Sequence, residues 1–399
     1  MKNLLFLSIL LFGYQCVFSQ ITFEKSYGSV TGTTVVADDE GYFLSGSCNI
    51  SPYDPVLIRT NLLGDVLWRK TFGGGVDGCL HLMTKSTPEE YILLTSTLWS
   101  DIKVTKMDTL GNVIWETIIA NKNHDSPHKI IKTSDNGYLI TGYTNSFSDT
   151  NEAYIIKLNS EGDILWTKTV GSDNYNEYSD YYAYSAIETS DSHYLVTGYG
   201  RENSYSSKAL LIKLDTYGNI LWIKKHGTGA WNSAADVAET KDNNYIVVGS
   251  GGGVYALKVD KEGNTLWEKT YGGDGGSKVL VLNSSFLIAG YNGGKPLLVK
   301  IGDEGDLLWS KTITTFRTTG EITSIDKSND GGFVFTSREG GLSLFKTDGE
   351  GCIEPNALSI IGENNVSINN NVILKVNETR GETYIWKSTH GNYFIRSRN

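Results

Sequence analysis

The sequence predicts an all-β protein, seven four-stranded sheets closed into a ring, on three observations. A signature of Gly, a polar residue and two further residues before Trp recurs six times, ending at Trp68, Trp115, Trp166, Trp222, Trp267 and Trp309. Two more signatures recur seven times. One is a polar turn followed by an aromatic and an apolar run, starting at Tyr42, Tyr91, Tyr138, Tyr194, Tyr245, Phe286 and Phe333. The other is an apolar pair followed by a base: Arg59, Lys106, Lys157, Lys213, Lys258, Lys300 and Lys346. The third observation is the period. Successive tryptophans stand 47, 51, 56, 45 and 42 residues apart, the length of one four-stranded blade. Short, regularly spaced strands with Gly and Asn/Asp turns then specify a seven-bladed β-propeller.

Taken in chain order, residues 1–19 read as a signal peptide. Lys2 supplies the positive start, Leu4 to Phe12 the apolar run, and Val17-Phe18-Ser19 the cleavage pattern, with cleavage after Ser19. A lipid anchor at Cys16 is the competing reading, disfavoured by the Gly13-Tyr14-Gln15 that precedes it. No later apolar run approaches the roughly 20 residues that span a bilayer. The protein is expected to be secreted or to sit on the outer cell surface, not embedded in the membrane. A formal net charge of −10 argues against a nucleic-acid partner.

Residues 20–353 form the propeller. Each unit holds four strands, a to d in chain order, with the tryptophan on d. Seven copies of b and c stand against six tryptophan-bearing d strands, and Pro355 occupies the place of a seventh Trp. The missing strand lies at the other end of the chain. Ile21-Thr-Phe23-Glu-Lys25-Ser-Tyr27-Gly28 matches the d pattern with Phe for Trp, 45 residues before Trp68. The N-terminal strand is therefore predicted to complete the seventh blade, which removes exposed sheet edges.

The recurrent residues read as structural. Trp68, Trp115, Trp166, Trp222, Trp267, Trp309 and Phe23 are expected to wedge between blades, each Trp burying roughly 200 Å². The turn Gly before each Trp permits a positive φ. The recurrent base is expected to lie along the blade surface, its charged head in water.

Asp215-Thr-Tyr-Gly218-Asn-Ile-Leu-Trp222-Ile-Lys224 and its siblings resemble the tryptophan-docking repeats of quinoprotein-type propellers. Gly137-Tyr-Leu-Ile-Thr-Gly-Tyr-Thr144 resembles the repeats of secreted bacterial β-propeller repeat proteins. The likeness runs over nearly all of residues 21–353 and implies architecture, not activity. Quinoprotein dehydrogenases use vicinal cysteines, and this chain has no adjacent pair. The Ser that opens sialidase-type Asp-boxes is also missing. No cofactor and no metal are expected.

In this strand order the a–b and c–d turns share one face of the disc, and the b–c and d–a loops share the other. All large length variation falls on the second face: Ser47 to Asp54, Thr144 to Glu152, Ser172 to Tyr184, Gly200 to Lys208 and Gly227 to Ser233. Variable loops on a rigid scaffold are where binding residues usually sit. The most distinctive stretch carries Tyr175, Tyr178, Asp180, Tyr181, Tyr182 and Tyr184; Arg201, Tyr205 and Trp231 come from neighbouring loops. Rings and carboxylates together suit stacking on sugar rings and bonding to hydroxyls; the plain alternative is a loop packing its own aromatics. His124-Asp125-Ser-Pro-His128 could hold a metal, but no third ligand accompanies it. Cys48 and Cys79 are candidates for a disulfide, which would leave Cys352 alone.

Residues 354–399 depart from the repeat and read as a short β-rich appendage, a partial Ig-like or sorting-type module that could attach the protein to a surface. The function expected is a non-catalytic binding scaffold for an extracellular glycan or protein. The rival is an extracellular enzyme of glycosidase, lyase or quinoprotein type that uses the propeller channel.

Overall fold

The computed structural model describes residues 22–353, apart from 29, 49–54, 72–76, 88, 98–100, 172–179, 204, 230, 315–318 and 340, together with 384–387 and 393–396. Seven antiparallel sheets of four strands each make a seven-bladed β-propeller, and among the described residues there is no helix. Blade 1 holds strands Val30–Asp38, Gly41–Cys48, Pro55–Asn61 and Val66–Thr71. Blade 3 holds Asp125–Lys132, Tyr138–Thr144, Glu152–Leu158 and Ile164–Val170; blade 4 holds Tyr181–Glu188, Tyr194–Asn203, Ser206–Leu214 and Ile220–His226. Blades 2, 5 and 6 repeat the order from Asp77, Ser233 and Gly275. Strand a of each blade lies against strand a of the next, and the seventh against the first, so these seven strands wall the axis.

The ring closes as the strand count requires. In blade 7, strands Thr319–Lys327, Phe333–Glu339 and Ser343–Thr347 are completed by Phe23–Ser26, with Phe23 opposite Lys346 and Ser26 opposite Ser343. Tyr27 N then donates to Leu342 O at 2.8 Å.

Apolar layers lie between blades, which is why strands b and c are nearly continuous in apolar residues. Ile92, Leu94 and Val104 of blade 2, for instance, pack on Ile130, Ile140 and Ile156 of blade 3. The tryptophans lock these layers at the rim. A Cβ on Gly162 would stand 2.8 Å from the Trp115 ring, on Gly218 2.8 Å from Trp166, and on Gly351 2.7 Å from Trp309. Each ring therefore lies flush on the c–d turn glycine of the following blade. Those glycines have φ of 89°, 81° and 73°, so the bare backbone serves both the turn and the dock. Trp166 Nε1 donates to Thr216 O at 3.0 Å, and Trp267 Nε1 to Asp303 O at 3.1 Å. Phe23 meets Gly64 in the same way, at 2.8 Å.

The recurrent bases are not spread along the surface; most are buried and paired. Lys157 is 1% exposed, and its Nζ bonds Asp135 of the a–b turn at 2.8 Å and Leu158 O at 3.0 Å. Lys213 reaches Thr189 Oγ1 at 2.9 Å, Asp191 at 3.2 Å and the Tyr245 hydroxyl of the next blade at 2.6 Å. Lys258 bridges Asp242 and Asp303 at 3.1 and 3.0 Å. Burial pushes Asp242 up, but hydrogen bonds from Thr240 and Lys258 outweigh it and hold the carboxyl at about 2. A buried ammonium persists only where such partners surround it.

The chain falls into two compact units, Met1–Glu354 and Pro355–Asn399. The described part of the second unit is a hairpin, Tyr384–Lys387 paired with Tyr393–Arg396.

Candidate aromatic site at the channel mouth

Every inner strand breaks register at one corresponding residue: Thr33, His81, His128, Tyr184, Ala235, Ser277 and Thr323 in blades 1 to 7. Blades 2 and 7 slip once more, between Asp77 and Leu80 and between Thr319 and Ile322. Such a bulge bends the strand and re-aims the extra side chain. In blades 1 and 7 that side chain is a threonine, which satisfies its neighbour. Thr33 Oγ1 lies 3.0 Å from Ser45 Oγ, and Thr323 Oγ1 3.0 Å from Thr336 Oγ1. In blades 3 and 4 the residue is His128 or Tyr184. The hydroxyls that correspond to Ser45 and Thr336 are then Thr141 and Thr197, and both are buried without a partner among the described residues. Two buried hydrogen bonds are forgone there, and two rings take their place.

Those rings join a continuous cluster on the variable-loop face. His128 stands 4.8 Å from Tyr184 and 5.6 Å from Tyr143 between centroids; Tyr143 is 4.7 Å from Tyr182, and Tyr182 is stacked on Tyr199 at 4.7 Å. Tyr184 lies 5.5 Å from Tyr199, and His124 is stacked on Tyr143 at 5.6 Å. Burial holds His128 down at about 4, against a weaker upward pull from its bond to Ala183 O. The imidazole is therefore neutral at pH 7, and Nδ1 donates to that carbonyl at 3.1 Å. Burial also pushes the Tyr184 hydroxyl up to about 12. His128 and Tyr184 are therefore neutral hydrogen-bonding groups at pH 7.

Polar groups tie the cluster to the loops. Asn151 Nδ2 donates to the Tyr182 hydroxyl at 2.8 Å and to Asp180 Oδ1 at 3.2 Å. Arg201 lies 3.5 Å from Asp180 Oδ2, and its Nε is buried with no partner among the described residues. Asp180, Tyr182 and Arg201 are thus brought together as their sequence positions imply.

Tyr181 differs: it is 5% exposed, packed in the layer between blades 3 and 4, and closed to a ligand. Strand alternation explains this, since Tyr181 and Tyr182 point to opposite faces. Tyr205 and Trp231 are 81% and 52% exposed. Trp231 is placed by a bridge to Ser207 and by Asn232 N donating to Ser207 O at 3.0 Å. The stretch from Gly200 to Lys208, expected as a loop, is mostly strand, with Arg201 opposite Ser207.

Tyr175 and Tyr178 lie outside the described residues, and so do the side chains of Cys48 and Cys79. Cys352 is a free, exposed thiol. Asp125, read with His124 and His128 as a possible metal set, is buried and takes bonds from Thr144, Ser146 and Asn121, so it fastens its own loop. Among the described residues, no group of three His, Cys, Asp or Glu could hold a metal ion.

Sequence reasoning missed Tyr143, Tyr199 and Asn151. Tyr143 and Tyr199 follow the repeat glycines Gly142 and Gly198 and pass for repeat residues. Asn151 stands 29 residues from the Asp180 it binds, and nothing in the chain pairs them.

Residues 100–285 match the family model described as outer membrane protein assembly factor BamB. Among curated proteins no match is found. Among solved structures, the WD40 domain of Neurospora crassa Pan2 aligns with a TM-score of 0.54 at 12% identity, covering 83% of this chain and 91% of that one. BamB from Moraxella catarrhalis aligns at 0.46 and 12%, over 82% and 99%. A protein of unknown function from Bacteroides caccae aligns at 0.46 and 14%, over 71% and 96%. The Pan2 likeness is one of fold. The repeat match falls on blades whose tryptophans dock on turn glycines, among them Trp115, Trp166 and Trp222, and it supports a β-propeller repeat protein of quinoprotein-like type.

Proposed function

We propose that this protein is a non-catalytic, exported binding scaffold that takes an extracellular glycan or protein at the variable-loop face of blades 3 to 5. One observation carries the reading: the inner strands of blades 3 and 4 forgo the hydroxyl pairing of blades 1 and 7 to place His128 and Tyr184 in an aromatic mouth. A buried polar group without a partner costs about 1–3 kcal/mol, so stability alone does not account for the choice. Clustered tyrosines with phenolic tips suit a sugar ring or a peptide, because they combine apolar faces with hydrogen-bonding ends. The exposed Tyr205 and Trp231 extend the same sector. Asp180 is the carboxylate beside the rings, and Asn151 and Arg201 already occupy it; this favours binding over acid–base chemistry. The repeat match to an outer membrane protein assembly factor supports a protein partner and a place at the cell envelope.

The test is a glycan array and an envelope-protein pull-down, each ligand found being titrated against wild type, Tyr182→Ala and Trp231→Ala. At least tenfold weaker binding is expected in one or both variants. A ligand bound undiminished by both would move the site elsewhere.

A further inference from the structure

At the bulges and just beyond them, the inner strands carry a belt of hydrogen bonds from blade to blade. His128 Nδ1 donates to Ala183 O at 3.1 Å, and Ser185 Oγ to Asp236 Oδ1 at 2.6 Å. Val279 N donates to Asp236 Oδ2 at 3.2 Å, and Ser277 Oγ to Ile322 O at 2.6 Å. Ser324 Oγ reaches Val35 O at 3.4 Å. The belt thus runs from blade 3 through blades 4, 5, 6 and 7 to blade 1.

Its charges do not balance. Asp236 is 6% exposed and accepts a bond on each oxygen. Lys129 Nζ stands 3.9 Å from Oδ1. Lys278 immediately precedes the Val279 whose N–H binds the other oxygen, and it adds a second ammonium to the field of both groups. Among the described residues of the belt, two cations therefore face one carboxylate. Burial pushes Lys129 down, Asp236 pulls it back up, and Lys278 drives it down again. Burial pushes Asp236 up, yet Lys129 and Lys278, helped by Ser185 and Val279, hold it below the usual carboxylate range. An unmatched cation in a low-dielectric wall is costly and favours a counter-charge. The Lys129 side chain remains 22% exposed.

We propose that this stretch of the channel is an anion site, in which the ammonium groups of Lys129 and Lys278 bind a small oxyanion, carboxylate or phosphate. The charge-assisted bonds this chemistry allows are short and strong. The site stands whether or not the aromatic mouth above it binds anything. Free inorganic phosphate and the carboxylate of an acidic sugar both offer the required oxygens.

The test is isothermal titration of the full chain, in a zwitterionic buffer at fixed ionic strength, with phosphate, acetate and glucuronate, and with glucose as the uncharged control. One saturable site is expected for phosphate or glucuronate, and none for glucose. Phosphate binding with glucuronate silent identifies a free ion as the source; glucuronate binding that displaces phosphate identifies an acidic sugar. Lys278→Met should weaken binding at least tenfold. Asp236→Asn removes the competing carboxylate and should tighten it severalfold; if that variant does not fold, the lysine variant decides. No saturable heat from any of the three anions, or an unchanged affinity in Lys278→Met, overturns the proposal.

Discussion

Blades 1 and 7 and blades 3 and 4 use the same bulge in the same strand for opposite ends. In the first pair a threonine fills the bulge and bonds the hydroxyl across from it, Thr33 to Ser45 and Thr323 to Thr336. In the second pair His128 and Tyr184 fill it, and Thr141 and Thr197 are left without that bond. The backbone device is therefore common property, and the side chain placed on it decides between cohesion and a ring at the mouth. Where a protein departs from its own repeating solution at a cost, the departure is a candidate for a functional or strained place, and the proposed site is drawn there.

The largest expected effect tests the cohesive side of that contrast, away from the mouth. Gly218→Val forces a β-branched residue to a φ of 81° and drives its Cβ to within 2.8 Å of Trp166. A loss of about 4 kcal/mol is expected in denaturant unfolding. A loss below about 1 kcal/mol would mean that Trp166 does not dock on the turn.

The next effect is pH-dependent and belongs to blade 3. His128 titrates at about 4 in the folded chain against 6.5 as a free side chain. Between those values the unfolded chain binds more protons, so stability is intact above pH 6.5 and falls as the pH drops towards 4. The full shift is worth at most about 3 kcal/mol. Unfolding curves of wild type and His128→Gln at pH 7.5 and pH 4.5 measure it: the variant should lose clearly less on acidification. Equal losses would show that His128 is not held neutral by its site.

The smallest effect sharpens the contrast itself. Tyr184→Thr gives blade 4 the residue that blades 1 and 7 use, within reach of the orphaned Thr197. It should be more stable than Tyr184→Ala by about 1–2 kcal/mol, the worth of a satisfied buried hydroxyl. At Tyr182, which does not sit in a bulge, Thr and Ala should differ far less. An equal gap at both positions would show that the bulge has no bearing on it.

The blade number, the four strands per blade and the closing role of Phe23 could be read from the chain because each rests on a local pattern repeated many times. One tryptophan spaced 45 residues from the next says little; six of them, with a Phe where the seventh belongs, specify a ring. Asp180, Tyr182 and Arg201 were also within reach, since composition singles out an unusual loop. The buried pairing of Lys157 and Lys213 was not, because a base after an apolar pair suits a wet surface as well as a lined pocket. Tyr181 was misplaced for a simpler reason: with the strand's start unknown, alternation cannot say which of two adjacent tyrosines faces inward.

What the amino-acid order determined by itself is thus the architecture, written in propensities and periods that need no knowledge of distant neighbours. Tertiary structure alone decided the mouth and the belt. His128, Tyr143, Tyr184 and Tyr199 meet, and Lys129 and Lys278 share Asp236, because neighbouring inner strands slip register at one level around a common axis. Such convergence depends on closure and on bulges, and both are properties of paired strands that no single strand carries in its sequence.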